Sequence, residues 1–200
     1  MRDLMKVKIG VIGSASGPTL EMKKSSEMAR EVGKWIAKTD CILVNGACPG
    51  LPNEAAIACR KEGGFVLGVS PAFSQKEHEE NYKSPDMAYD IILFTGMGFM
   101  ERDIVNIRSA DAVIVLGGGI GTLNEFTVAF EEGKTVGVLK GTGGISDHLE
   151  EIVKMCDRHE DFEQLVISSE DPRRLVEDTL LRVKEGFVPS YEDERVLGNG

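Results

Sequence analysis

The sequence predicts an α/β protein of three layers, a Rossmann-like doubly wound fold around a mainly parallel sheet of about seven strands. Three observations point there. Short β-branched runs alternate with longer segments of helical period, as repeated βαβ units require. Most of these runs are continuously apolar, which suits strands covered on both faces. Glycine-rich turns recur at consecutive strand ends, and open α/β sheets bind ligands at that carboxyl edge.

The strands are read, in order, at Val7–Ile12, Cys41–Asn45, Phe65–Val69, Ile91–Phe94, Ala112–Leu116, Thr135–Leu139 and Leu165–Ile167. Met28, Val32, Trp35 and Ile36 share one helical face, as do Leu149, Ile152, Val153 and Cys156 at i, i+3, i+4 and i+7. Such amphipathic helices cover a sheet. Glu101 to Ala110 and Leu123 to Phe130 also carry helical spacing. The last helix is announced by Asp171 as N-cap, Pro172 at its first position and Gly186 beyond its final turn.

Two stretches escape the pattern. Pro71 to Asp90 is polar and longer than ordinary connections, which fits a lid, an interface arm or a flexible loop. Residues 188–200 read as a poorly ordered tail. No repeat or linker divides the rest, so residues 1–187 are expected to form a single nucleotide-binding domain.

A formal charge of −10, from 23 Lys plus Arg against 33 Asp plus Glu, argues against nucleic acid and acidic membranes as partners while leaving local binding of a small anion open. Every apolar run is interrupted by charge and no signal-like segment opens the chain, so a cytoplasmic protein without membrane spans is expected. Cys41, Cys48, Cys59 and Cys156 show no C-x-x-C spacing and read as reduced core thiols. His78, His148 and His159 form no metal-ligand spacing, and no metal is expected.

The strongest functional signal is strand, glycine turn, helix: Leu116 runs into Gly117-Gly118-Gly119-Ile120-Gly121-Thr122, followed by the helical Leu123 to Phe130. Glycines let a ligand approach the main chain, and the free N–H groups of a helix start point at a negative group. The alternative is a tight turn that serves only helix–sheet packing. Gly13-Ser14, Gly46 and Gly96 end other strands on the same edge. The candidate phosphate- and nucleotide-binding residues are therefore Gly13, Ser14, Gly46, Gly96, Gly118, Gly119, Ile120, Gly121 and Thr122. Two familiar motifs fail. A dinucleotide fingerprint needs another glycine spacing and an acidic end to strand two, where Asn45-Gly46 stands. Gly133-Lys134-Thr135 imitates a P-loop end, but Val128 holds the place of its first glycine and a strand follows.

Arg102, near the start of one helix, and Glu125, near the start of another, should face the same edge. An arginine can hold a phosphate or sugar oxygen, and a carboxylate beside a sugar C1 can orient water and stabilise an oxocarbenium-like transition state. The pair suits N-glycosidic hydrolysis. Plainer roles also fit: Thr122 to Glu125 matches a capping box, and Arg102 matches a surface cation paired with Glu101 or Asp103.

Met100-Glu101-Arg102 together with Gly118-Gly119-Ile120-Gly121-Thr122-Leu123-Asn124-Glu125 resembles the motif pair of the LOG family, long mislabelled as lysine decarboxylases. Its hallmarks are an E-R-K-like segment and P-G-G-x-G-T-x-x-E, and the separation here matches. The resemblance places the catalytic arginine at Arg102 and the catalytic glutamate at Glu125, and extends to Gly13-Ser14 and Gly50-Leu51. It implies cleavage of a nucleoside 5'-monophosphate to base and ribose 5-phosphate, no metal or organic cofactor, and a homodimer or larger homo-oligomer with helices packing beside the site. Asp103 stands where lysine is expected and Gly117 where proline is expected. Both shift the resemblance toward a sister branch of Rossmann nucleotide-binding or molybdenum-cofactor-carrier-like proteins, which makes a non-catalytic binder or carrier the alternative. Decarboxylase chemistry is disfavoured because no lysine lies near the glycine turn to hold pyridoxal phosphate.

Overall fold

This computed structural model of the chain describes residues 5–17 and 23–186, and the tail expected at 188–200 lies outside them. The strands are β1 (Lys8–Gly13), β2 (Ile42–Asn45), β3 (Phe65–Ser70), β4 (Ile91–Phe94), β5 (Ala112–Leu116), β6 (Thr135–Leu139) and β7 (Val166–Ser169). Helices α1 (Lys23–Lys38), α2 (Leu51–Lys61), α3 (Gln75–Glu80), α4 (Gly98–Arg108), α5 (Ile120–Glu131), α6 (Leu149–Met155), α7 (His159–Leu165) and α8 (Pro172–Lys184) alternate with them.

The seven strands form one sheet in the order β4-β3-β2-β1-β5-β6-β7, and every neighbouring pair is parallel. The chain builds outward from β1 to β4, then returns to lay β5 on the other side of β1. That reversal is a topological switch point, the place where an open α/β sheet leaves a crevice beyond its strand ends. Gly13 lies in register with Leu116 there, so the turns after β1 and β5 emerge side by side.

Two apolar clusters make the three layers. Ile114 and Leu116 of β5 pack with Val32 and Ile36 of α1, Leu51 and Ala55 of α2, and Leu175 of α8. Val113 and Val115, pointing the other way, pack with Ile107 of α4, Phe126 and Phe130 of α5, Leu149 of α6 and Phe162 of α7. Alternate residues of one strand thus feed both cores, which is why its sequence is apolar throughout. Asp171 caps α8 by accepting the N–H groups of Arg173 and Arg174 at 2.8 and 3.1 Å.

Several expectations need correction. β4 has the apolar sequence of an interior strand but is an edge strand, with Ile91, Leu93 and Phe94 exposed. The Pro71 to Asp90 stretch is tied into the fold: it contains α3, and the buried His78 bridges Ser70 Oγ (2.8 Å) to the Pro85 carbonyl (3.0 Å). Cys41 and Cys59 are buried free thiols, and burial pushes Cys59 up to about 12. Cys48 is half-buried, and Cys156, the residue directly after α6, is exposed. Among the described residues no helix is long and apolar enough to cross a membrane.

Candidate functional site

The turn after β5 is built by its neighbours. Gly117 and Gly118 take φ of 62° and 104°, a region costly for any residue with a Cβ. Gly117 N–H donates to Thr142 Oγ1 (2.9 Å) and Gly118 N–H to Ser14 Oγ (2.7 Å). In return the carbonyls of Gly118 and Gly117 accept from Ile145 and Ser146 of a 3-10 turn at Gly144–Asp147 (2.9 and 3.2 Å). Thr142 is itself fixed through Leu139 O (2.6 Å) and Ser146 Oγ (3.1 Å). The first two glycine amides are therefore spent on the protein.

The amides left for a ligand come next. Helix α5 begins at Ile120 with Gly119 as its N-cap and no side-chain cap, and the Leu123 N–H takes the Gly119 carbonyl at 2.9 Å. The N–H groups of Ile120, Gly121 and Thr122 precede that bond, so they lack helical acceptors and carry the positive end of the helix dipole. The capping box expected from Thr122 to Glu125 does not form, because the helix starts at Ile120 and Thr122 already lies within it.

Glu125 is turned toward α4 instead. That helix buries Arg102, Asp103, Asn106 and Ile107 and exposes Phe99, Met100 and Ile104. Its polar face is inward, the reverse of an ordinary surface helix. Asn106 Nδ2 donates to Glu125 Oε1 (3.2 Å), Arg102 Nη1 lies 3.9 Å from the same oxygen, and Arg102 Nη1 lies 3.3 Å from Asp103 Oδ1. Arg102 is no surface cation: it is 4% exposed, and its other terminal nitrogen reaches Cys48 Sγ at 3.4 Å. Gly46 makes the seat, since a Cβ there would overlap the guanidinium. The turn around it is held by Asn45, whose Oδ1 accepts the Ala47 N–H (2.9 Å) while Ala47 sits at φ 49°.

These groups line a cleft of about 360 Å³ beyond the ends of β1 and β5. Gly13, Ser14, Gly46, Arg102, Gly119, Ile120, Gly121, Thr122 and Glu125 border it. Gly118 does not, and its amide is taken by Ser14. Gly96 also lies outside, its N–H donated to Ala72 O (2.9 Å) beneath Phe73. Sequence reasoning missed Cys48, Asp103, Asn106 and Thr142. Asn106 carried a signal, standing one turn after Arg102 on the same helical face. Thr142 carried none, because it acts from the loop after β6 through tertiary contact.

Burial dominates the electrostatics. It pushes Glu125 up to about 8, helped by Asp103 and opposed by Arg102 and Asn106. It also raises Asp103, against Arg102 and Asn124, and Cys48, against Arg102. The cleft thus holds one buried cation and one carboxyl group that stays largely protonated at neutral pH.

A model of the SLOG cluster4 family matches residues 6–176, most of the chain. The chain belongs to the SLOG cluster4 family. It is 32% identical over 140 residues to a cytokinin riboside 5'-monophosphate phosphoribohydrolase of Mycobacterium tuberculosis, covering 64% of this chain and 69% of that relative. It is 34% identical over 134 residues to an uncharacterized protein of Archaeoglobus fulgidus, covering 67% and 80%. Among solved structures, the molybdenum cofactor carrier protein of Chlamydomonas reinhardtii superposes with a TM-score of 0.70 at 28% identity, over 88% of this chain and 98% of the other. The resemblance to the LOG family and to its molybdenum-cofactor-carrier-like branch is borne out by these relatives.

In this SLOG cluster4 chain the departure at Gly117 has a structural reason. A proline has no N–H to give Thr142 and cannot reach a φ of 62°, so the clamp on the glycine turn requires a residue other than proline.

Proposed function

We propose that the cleft binds a nucleoside 5'-monophosphate and hydrolyses its N-glycosidic bond. The observation that carries this reading is convergence: uncapped amides of α5, the Arg102 guanidinium and the Glu125 carboxyl all border one crevice at the β1/β5 switch point. The 5'-phosphate sits on the N–H groups of Ile120, Gly121 and Thr122. Arg102 anchors the sugar. Glu125, when ionised, faces C1, stabilises positive charge developing on the sugar ring and takes a proton from the attacking water. Water oxygen bonds to C1 as the C1–N bond breaks, and the departing base leaves with a proton, giving free base and ribose 5-phosphate. The phosphoribohydrolase relative supports this reading.

A second reading has its own support. The carrier protein structure aligns over nearly the whole chain, and a glutamate raised to about 8 is a poor resting base at neutral pH. On that reading the same crevice holds a nucleotide-like or pterin-like phosphate compound intact. Incubation with a panel of nucleoside 5'-monophosphates separates the two. Free base released by wild type and lost in Glu125→Gln and Arg102→Ala supports hydrolysis; stabilisation by phosphate compounds without release of base supports the carrier.

A further inference from the structure

The α4 wall of the cleft holds more hydrogen-bond acceptors than the protein itself uses. The Asp103 carboxylate offers about four acceptor sites. Arg102 Nη1 stands at Oδ1 (3.3 Å) and Asn124 Nδ2 at Oδ2 (3.4 Å), which leaves one free direction on each oxygen. Asn106 Oδ1 is buried without a protein partner, and so is the Arg102 Nε donor. Asp103 is 6% exposed, and what remains exposed borders the cleft. An unspent acceptor in so dry a place is costly unless a bound molecule completes it.

The opposite wall is of contrary character. There the unpaired groups are N–H donors at the start of α5. A ligand that satisfies both walls carries an anion at one end and paired hydroxyl donors a few ångströms away. A phosphate brought to the α4 wall would meet Asp103 as a like charge.

We infer that Asp103 is a specificity-determining residue that accepts the vicinal 2',3'-diol of a ribosyl ligand, one hydroxyl on each carboxylate oxygen, and so selects ribonucleotides against deoxyribonucleotides. Arg102 serves this role too, because its charge favours the ionised carboxylate and opposes the burial that raises it. The inference rests on the nucleotide reading of the cleft and narrows its ligand class. It assigns a use to the aspartate that departs from the E-R-K-like motif.

The test is calorimetric titration of the full chain with the four common ribonucleoside 5'-monophosphates and their 2'-deoxy counterparts, supplemented by kcat/KM ratios where base is released. Wild type is expected to prefer the ribo form of the best-bound pair by about 10-fold or more, the usual effect of losing a hydrogen bond to a charged group. Asp103→Asn keeps the side-chain shape but loses the charge, and should bring that preference to within about 3-fold. Equal binding of ribo and deoxy forms by wild type overturns the inference and leaves the nucleotide reading standing. A preference unchanged in Asp103→Asn also overturns it. Failure to bind any member of the panel overturns both. The wild-type comparison varies only the ligand, so it keeps the inference refutable even where the variant folds poorly.

Discussion

The Arg102 guanidinium stands 3.9 Å from the Glu125 carboxyl, beyond hydrogen-bond reach, with both groups buried between α4 and α5. At that separation the arginine offsets only part of the desolvation, and Asp103, which the same guanidinium approaches more closely, adds repulsion. The cleft therefore holds its carboxyl group in reserve as the neutral form.

That arrangement makes stability depend on pH in a defined direction. Glu125 rises from 4.5 to about 8 on folding, so the folded chain binds a proton that the unfolded chain has released. Its favourable state is complete below 4.5 and is lost as pH rises toward 8. Glu125→Gln removes the titration while keeping an acceptor for Asn106. Melting curves should show the variant more stable than wild type at pH 8, by about 1–3 kcal/mol or roughly 3–10 °C, with the gap closing by pH 5. A gap independent of pH would refute the assignment.

The same group sets the activity profile. If Glu125 must be ionised to act at C1, kcat/KM for base release should climb with pH and level off above about 8. A profile flat from pH 6 to 9 would place the titrating step elsewhere.

Gly46 offers a way to move Arg102 without touching it. A Cβ at this position meets only the far end of the arginine side chain, which can swing away, and Gly46 needs no positive φ. Gly46→Ala should therefore melt within a few degrees of wild type yet lose about 100-fold or more in ligand affinity or turnover. Retention of full affinity would show that the guanidinium position is unimportant.

How much of this was legible in the sequence follows from the range of the forces involved. The strands were readable because β5, β6 and their neighbours are apolar on both faces, and the helix ends because Asp171 and Gly186 act locally. The edge position of β4 was not legible for a physical reason: Ile91, Leu93 and Phe94 have the composition of a covered strand, and nothing local distinguishes an edge. At the site, Arg102 and Glu125 stood out, whereas the Thr142 tether and the spending of the Gly118 amide on Ser14 arise between loops far apart in the chain.

The glycine clamp is testable from both sides. Thr142→Val leaves the buried Gly117 N–H without its acceptor, at a cost of about 1–3 kcal/mol, and loosens the turn that aims α5 at the ligand. Gly117→Pro removes the same donor and also forbids the observed φ, so it should destabilise more, by about 3 kcal/mol or above. Denaturant unfolding should rank wild type above Thr142→Val above Gly117→Pro. The reverse order would mean that the turn adopts another conformation.

Large apolar side chains are exposed on both β4 and α4. Ile91, Leu93 and Phe94 on edge strand β4, and Phe99, Met100 and Ile104 on α4, the helix that follows it in the chain, expose large side chains in a chain with a formal charge of −10. A monomer would present this surface to water, together with the unpaired backbone of the sheet edge. We propose that a second copy covers it. On this proposal Ile104, which lies outside the cleft, meets the partner, while Phe99 and Met100 border both the cleft and the apolar surface. Ile104→Glu lies on the outward face, so it should leave the monomer fold intact while placing a charge at the centre of the contact. Sedimentation should show a dimer or larger species for wild type, shifting to monomer in Ile104→Glu with far-ultraviolet dichroism unchanged. A wild-type chain that sediments as a monomer at micromolar concentration would leave this surface without a partner of its own kind.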